Sequence, residues 1–254
     1  MRLRHRADID GLRAVAVLPV VIYHTGLGLL PGGYLGVDIF FVISGYLITS
    51  ILIEDLREDR FSIARFYQRR ILRLFPALFA MLAATVVAAW VLLFPAGLEE
   101  FGQTLRATVL FLSNLHFAFS YGYFTASAET NPLLHTWSLA VEEQFYILFP
   151  LMLAFAFRRG KVGAMVIAVM LASVAAALVL GPSSPESSFF LLHTRAWELL
   201  IGAGLAVGLL APPRSDRVAG LVGLAGLGAI VAAMLWLDRQ SSALGLMAAL
   251  PAVL

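Results

Sequence analysis

Long apolar runs separated by short polar or basic breaks fill this chain, the pattern of successive membrane-spanning helices. The first run covers 12–30, after a basic tail at 1–6 and the acidic residues Asp8 and Asp10. It lacks a small-x-small cleavage site and carries Arg13 and His24, so it is expected to be an uncleaved span with Asp10 as its N-cap. A second span is expected over 34–53, reached through a short uncharged turn at 31–33. A third covers 71–93, with Pro76 in its first turns as a kink or cap. Further spans are expected over 137–157, 162–180, 191–210 and 218–237. Another apolar run starts at 243 and is unfinished at 254, so the chain is expected to be truncated at its C-terminus.

One stretch breaks the pattern. Residues 105–119 are apolar but interrupted by Ser113, Asn114 and His116, and at about 15 residues are short for a crossing. A re-entrant or interfacial segment is the favoured reading. A full crossing, or a different partition of 81–119, remains open. The polar and aromatic linker 120–134 that follows holds no Lys or Arg.

Charge sets the orientation. Arg57, Arg60, Arg65, Arg69 and Arg70 crowd the break at 54–70, and Arg158, Arg159 and Lys161 the break at 158–161. Basic loops stay inside, so both breaks, the basic N-terminus and the arginines at 212–217 are expected to be cytoplasmic. Hydrophobic residues make up 60% of the 254 positions and charged residues 13%, whereas a soluble domain is about half apolar and a quarter charged. The fold class is therefore an all-α polytopic membrane protein, a bundle of about 7–9 transmembrane helices with a cytoplasmic N-terminus. The chain reads as one membrane domain over 1–254, with no internal repeat and no soluble domain. With no cysteine there is no disulfide, thiolate metal site or Cys nucleophile, and the five histidines lack zinc-site spacing, so no metal is expected. The net charge of +2 argues for no nucleic-acid partner; the lipid bilayer is the surrounding medium.

Candidate chemistry lies where polar groups enter apolar runs. In 135–150, HTWSLAVEEQFYILFP, the residues His135, Ser138, Leu139, Glu142 and Tyr146 share one helical face, with Glu143 and Gln144 beside it. Such a face is aimed at a protein-lined cavity, either to staple helices together or to carry an active site. Arg13 and His24 are eleven residues apart, which places them on one face about 16 Å apart along the axis, with His24 expected just past mid-bilayer. His24 is either a packing group or a general base. Asp38 either orients His24 by accepting its second ring N–H or caps the helix entrance at Gly36. Ser44 is a possible nucleophile without a nucleophile elbow around it, and Gly45 beside it permits close backbone approach. Arg69, Arg70 and Arg73 project from one face at the cytoplasmic mouth, to bind lipid phosphates and fix topology or to clamp a phosphorylated ligand. Arg195 and Glu198, i and i+3 in the polar entry HTRAWE, are further substrate-binding candidates. Arginines at the inner mouth and a deeper histidine suit coenzyme A, with phosphates at one end and a thioester at the tip of a long arm.

Five blocks carry a resemblance: DIDGLRAVAVLPVVIYH (8–24), GGYLGVDIFFVISGYLIT (32–49), RFYQRRILRLFPAL (65–78), NPLLHTWSLAVEEQFYILFP (131–150) and TRAWELLIGA (194–203). In this order they resemble the acyltransferase 3 family of bacterial membrane O-acyltransferases, and the second and fourth look most like the subgroup that acetylates cell-surface polysaccharides. The resemblance implies an O-acyltransferase in the bacterial inner membrane. Its donor would be cytoplasmic acyl-CoA, usually acetyl-CoA, used as a co-substrate rather than a bound cofactor. Its acceptor would be a glycan hydroxyl, such as that of lipopolysaccharide or peptidoglycan. It gives functional weight to Arg13, His24, Arg70 and Arg73, and matches Glu142 and Glu143 to the family's later acidic pair. Such proteins usually have about ten spans and are often fused to an SGNH-type domain, which would then be a missing part or partner.

The reading is an O-acyltransferase with His24 as general base, Asp38, Glu142 and Glu143 as its catalytic carboxylates, and Arg13, Arg70 and Arg73 on the donor. Ser44, His135, Ser138, Arg195 and Glu198 are the substrate-binding candidates. A proton-coupled transporter using the same buried groups, and a non-catalytic partner that presents a glycan, stay open as alternatives.

Overall fold

A computed structural model describes residues 7–120, 130–211, 213 and 215–237. Among these the chain is helical: α1 (Ala7–His24), a 3₁₀ turn (Gly33–Leu35), α2 (Gly36–Arg57), α3 (Ile63–Leu92), α4 (Pro95–Val109), α5 (Ser113–Ser120), α6 (Thr136–Arg158), α7 (Val162–Leu180), α8 (Pro185–Phe190), α9 (Leu192–Val207) and α10 (Asp216–Trp236). The basic tail 1–6, the linker 121–129, Arg214 and the apolar run 243–254 lie outside the described residues.

The expected spans are met by α2, α3, α6, α7 and α10, the five described helices long and apolar enough to cross a membrane. Helix α9 has 16 residues, and the 18 residues of α1 include Asp8, Asp10 and Arg13. The chain is an all-α multi-pass membrane protein.

Local chemistry explains where the helices begin and end. Ser62 and Ser215 cap α3 and α10, their hydroxyls accepting from the Arg65 and Val218 N–H groups. Helix α4 opens with Pro95 in its first turn, where a missing N–H costs nothing. Pro76 lies inside α3, which runs on to Leu92, so it caps nothing. Two expectations about the first span need correction. Asp10 is the fourth residue of α1 rather than its N-cap, and the helix stops at His24 although the apolar run continues. Gly26 and Gly28, at φ +71 and +67, hold left-handed conformations that a helix cannot include. The stretch 105–119 is not one helix: α4 and α5, of 15 and 8 residues, are separated at Phe111, whose φ is +54.

Contacts divide the described residues into two compact units. Unit 1 draws on Met1–Ile53, Arg159–Ala175 and Ala196–Leu254; unit 2 on Glu54–Arg158 and Ala176–Arg195. Unit 1 packs Ile9 and Ala16 of α1, Ile39 and Ile43 of α2 and Ile230 and Met234 of α10 into one cluster. Helix α2 crosses α9 at backbone distance, since a Cβ on Gly45 would overlap the Leu199 carbonyl and one on Gly202 the Val42 carbonyl. Unit 2 packs Leu78, Leu82 and Ala89 of α3 with Phe101 of α4 and Leu133. Its chain reversals are sewn by side chains: Asn131 Nδ2 donates to Thr104 Oγ1 at 2.9 Å, and the Thr108 and Thr136 hydroxyls meet at 3.0 Å.

Candidate functional site

The residues singled out in the sequence fall into two groups, one per unit. Unit 1 holds Arg13, His24, Asp38, Ser44 and Glu198. His24 is exposed at the C-terminal end of α1 and stands edge-on to the Tyr23 ring at 5.2 Å. Its Nδ1 lies 2.8 Å from the Val20 carbonyl oxygen. A carbonyl only accepts, so Nδ1 carries the proton and, in the neutral ring, Nε2 presents the lone pair. The Val20 backbone carbonyl therefore orients the ring. Asp38 itself is buried, at 4% exposure, in the first turn of α2. Arg13, partly exposed, pairs with Asp10 one turn away at 3.3 Å. Ser44 is half-buried and forms no hydrogen bond among the described residues, which leaves its nucleophilic reading without a base. Glu198 is fully buried on α9.

Unit 2 holds the other group, centred on one turn of α6. Arg70 of α3 donates from Nε to Glu143 Oε1 at 2.7 Å, and its guanidinium carbon lies 3.5 Å from the centre of the Tyr146 ring. Tyr146 donates to Glu142 Oε1 at 3.4 Å, and Tyr67 donates to the Tyr146 and Ile147 carbonyls, each at 3.2 Å. The shared helical face predicted around Glu142 and Tyr146 is thus buried at its centre, whereas His135, just before α6, is exposed. Ser138 spends its hydroxyl on the His135 carbonyl. The arginines expected to act as one set are placed differently. Arg69 pairs with Asp55 at 2.9 Å, Arg70 is held by Glu143, and Arg73 is exposed with no ion pair or hydrogen bond among the described residues. Arg195 is buried, its guanidinium 5.1 Å from the Phe189 ring and 5.7 Å from the Trp137 ring.

Sequence reading missed a neutral polar network in unit 2. Asn114 and Gln144 exchange amide hydrogen bonds at 2.8 and 3.2 Å. Gln144 also donates to the Phe111 carbonyl and Asn114 to the Phe190 carbonyl. Beside them Thr104 donates to the Glu100 carbonyl, so its oxygen accepts from Asn131 and from His116 Nε2, 3.3 Å away. The neutral His116 ring therefore keeps its lone pair on Nδ1, 3.5 Å from the Ser120 hydroxyl. Burial pushes His116 below the ordinary imidazole value; Glu100 pulls it up and Arg106 pushes it further down. The interruption of an apolar run by Ser113, Asn114 and His116 was the available signal.

Comparison with known proteins bears on these residues as a set. The chain is 40% identical over 216 residues to YrhL of Bacillus subtilis, a match covering 80% of this chain and 33% of that protein. It is 39% identical over 211 residues to the O-acetyltransferase OatA of Staphylococcus aureus, covering 80% of this chain and 34% of the relative. The peptidoglycan O-acetyltransferase OatA of Listeria monocytogenes is 35% identical over 207 residues, covering 78% and 33%. The chain thus spans about a third of the length of the curated relatives it matches. No solved structure matches it. The acyltransferase 3 family model, described as an acyltransferase domain, matches residues 6–254, from before α1 to the last residue given. Arg13, His24, the Arg70 and Arg73 pair and the acidic pair on α6 are thus residues of a chain that belongs to the acyltransferase 3 family.

Proposed function

We propose that the protein is an O-acetyltransferase of the bacterial inner membrane, moving an acetyl group from cytoplasmic acetyl-CoA to a hydroxyl of peptidoglycan. Family membership and the names of the Staphylococcus and Listeria relatives support the class, and the name of the Listeria relative supports the acceptor. The observation that carries the chemistry is the His24 ring, whose Nδ1–H is committed to Val20, so that Nε2 is the nitrogen left for proton transfer. In the proposed reaction His24 Nε2 takes the proton of the acceptor hydroxyl as its oxygen attacks the thioester carbonyl. The carbon–sulfur bond breaks, and the proton passes from the imidazolium to the departing thiolate, giving the glycan ester and free coenzyme A. Arg13, Arg70 and Arg73 hold the phosphates of the donor. Arg13 precedes His24 on α1 by about 16 Å, a distance that coenzyme A's arm can bridge from its phosphates to its thioester.

The test is transfer of labelled acetyl from acetyl-CoA to peptidoglycan fragments by the full-length protein in inside-out vesicles, with His24→Ala at equal expression. Transfer should fall at least about a hundredfold in the variant, the lower range for loss of a general base. A folded His24→Ala protein with full transfer overturns the assignment. Wild-type movement of a glycan without consumption of acetyl-CoA would instead favour a transporter.

A further inference from the structure

The donor reading above leaves open what the acidic pair on α6 does, and the inference here rests on that reading. We propose that Glu143 is a positioning residue for donor capture rather than a proton-transfer group: with Tyr146 it holds the Arg70 guanidinium so that its outer edge meets the donor's phosphates. Three observations lead to this. Glu143 Oε1 accepts from Arg70 at Nε, the inner nitrogen, at 2.7 Å. The two Nη groups, four of the five N–H donors, have no hydrogen bond to any described residue, and their planar edge fits two phosphate oxygens. The ring beneath the guanidinium is itself fixed: Glu142 accepts from the Tyr146 phenol, and Tyr67 of α3 donates to the Tyr146 and Ile147 carbonyls. An arginine side chain has several rotatable bonds, and freezing them before the ligand arrives lowers the cost of binding. Arg69 and Arg73, each exposed, show the contrast: one pairs with Asp55 and the other has no partner among the described residues. Of the three, Arg70 alone combines an ion pair with a fixed aromatic plate.

The arrangement also assigns separate tasks to the two adjacent carboxylates. Glu143 holds the arginine, and Glu142 holds the ring on which the arginine lies.

The experiment titrates coenzyme A into purified full-length protein in detergent and pairs the Kd with acetyl-transfer kinetics for wild type, Glu143→Ala, Glu143→Gln and Arg70→Lys. A thermal-melt check confirms folding of each. Glu143→Ala should raise the Kd for coenzyme A about tenfold, the equivalent of one charge-assisted hydrogen bond. Glu143→Gln keeps an oxygen that accepts from Nε and should recover most of that loss, with both limbs of the wild-type pH profile of kcat retained. Arg70→Lys, lacking a planar edge, should bind as poorly as Glu143→Ala. A Glu143→Gln protein that binds coenzyme A well but has lost kcat would make Glu143 a proton-transfer group and overturn the proposal. A Glu143→Ala protein with wild-type Kd overturns it equally. Wild-type protein that binds no coenzyme A at all would remove the donor reading and this inference together.

Discussion

One helix crossing in unit 1 is backbone to backbone, whereas hydroxyls and amides tie the elements of unit 2 side chain to side chain. In unit 1 the α2–α9 crossing leaves no room for a β-carbon at Gly45 or Gly202, and in both cases the opposing atoms are main chain. In unit 2 the same task falls to hydroxyls and amides: Thr104 with Asn131, Thr108 with Thr136, Asn114 with Gln144. The difference matters because lipid offers no hydrophobic drive for helices to associate, so close packing and internal hydrogen bonds are the means that the protein itself supplies. A backbone seam tolerates no added atom, while a polar seam tolerates no missing partner.

The largest effect expected from that contrast is at Gly45. Gly45→Val should cost about 3 kcal/mol or more, seen as a lowered thermal midpoint in detergent, because neither opposing backbone can yield. Gly102→Ala is the matched control in unit 2: nothing lies within 4 Å of its added carbon, and the helix should gain up to about 1 kcal/mol. Equal losses at both positions would dissolve the contrast. Next comes Gln144→Leu, which strands the Asn114 amide and the Phe111 carbonyl and should cost about 2 kcal/mol by the same measurement. Thr104→Val removes the acceptor shared by Asn131 and His116 and should cost about 1 kcal/mol.

The smallest effect is a pH dependence at His116 in unit 2. His116 is held below its unfolded value, so the unfolded chain takes up the proton first as pH falls. Its contribution is level above about pH 6.5 and is lost progressively below that value. Thermal midpoints measured from pH 8 down to pH 5 should decline less in His116→Gln than in wild type. A steeper decline in the variant would reverse the sign argued here.

Helix type and most spans were legible because apolar runs of full length bounded by arginines leave little choice. The close approach at Gly45 was also legible, since glycine within a long apolar run marks a place where a backbone must come near. The end of α1 was not. Leu27, Leu29 and Leu30 continue the hydropathy of a span, and only the left-handed conformations of Gly26 and Gly28 show that the helix has stopped. His24 is therefore the last residue of α1. The partner of Arg70 lies 73 residues away in the sequence, a pairing that no local spacing encodes. Neutral amides such as Asn114 and Gln144 interrupt the apolar pattern visibly, but nothing in one sequence says that they interrupt it for each other.

In the proposed reaction His24 transfers the proton and Arg70 grips the donor. The most direct measurement is coenzyme A affinity and acetyl transfer on the same preparations of wild type, His24→Asn and Arg70→Ala. His24→Asn should bind coenzyme A as wild type does yet lose transfer, while Arg70→Ala should lose affinity and transfer together. Loss of affinity in His24→Asn, or wild-type affinity in Arg70→Ala, would overturn that division of roles.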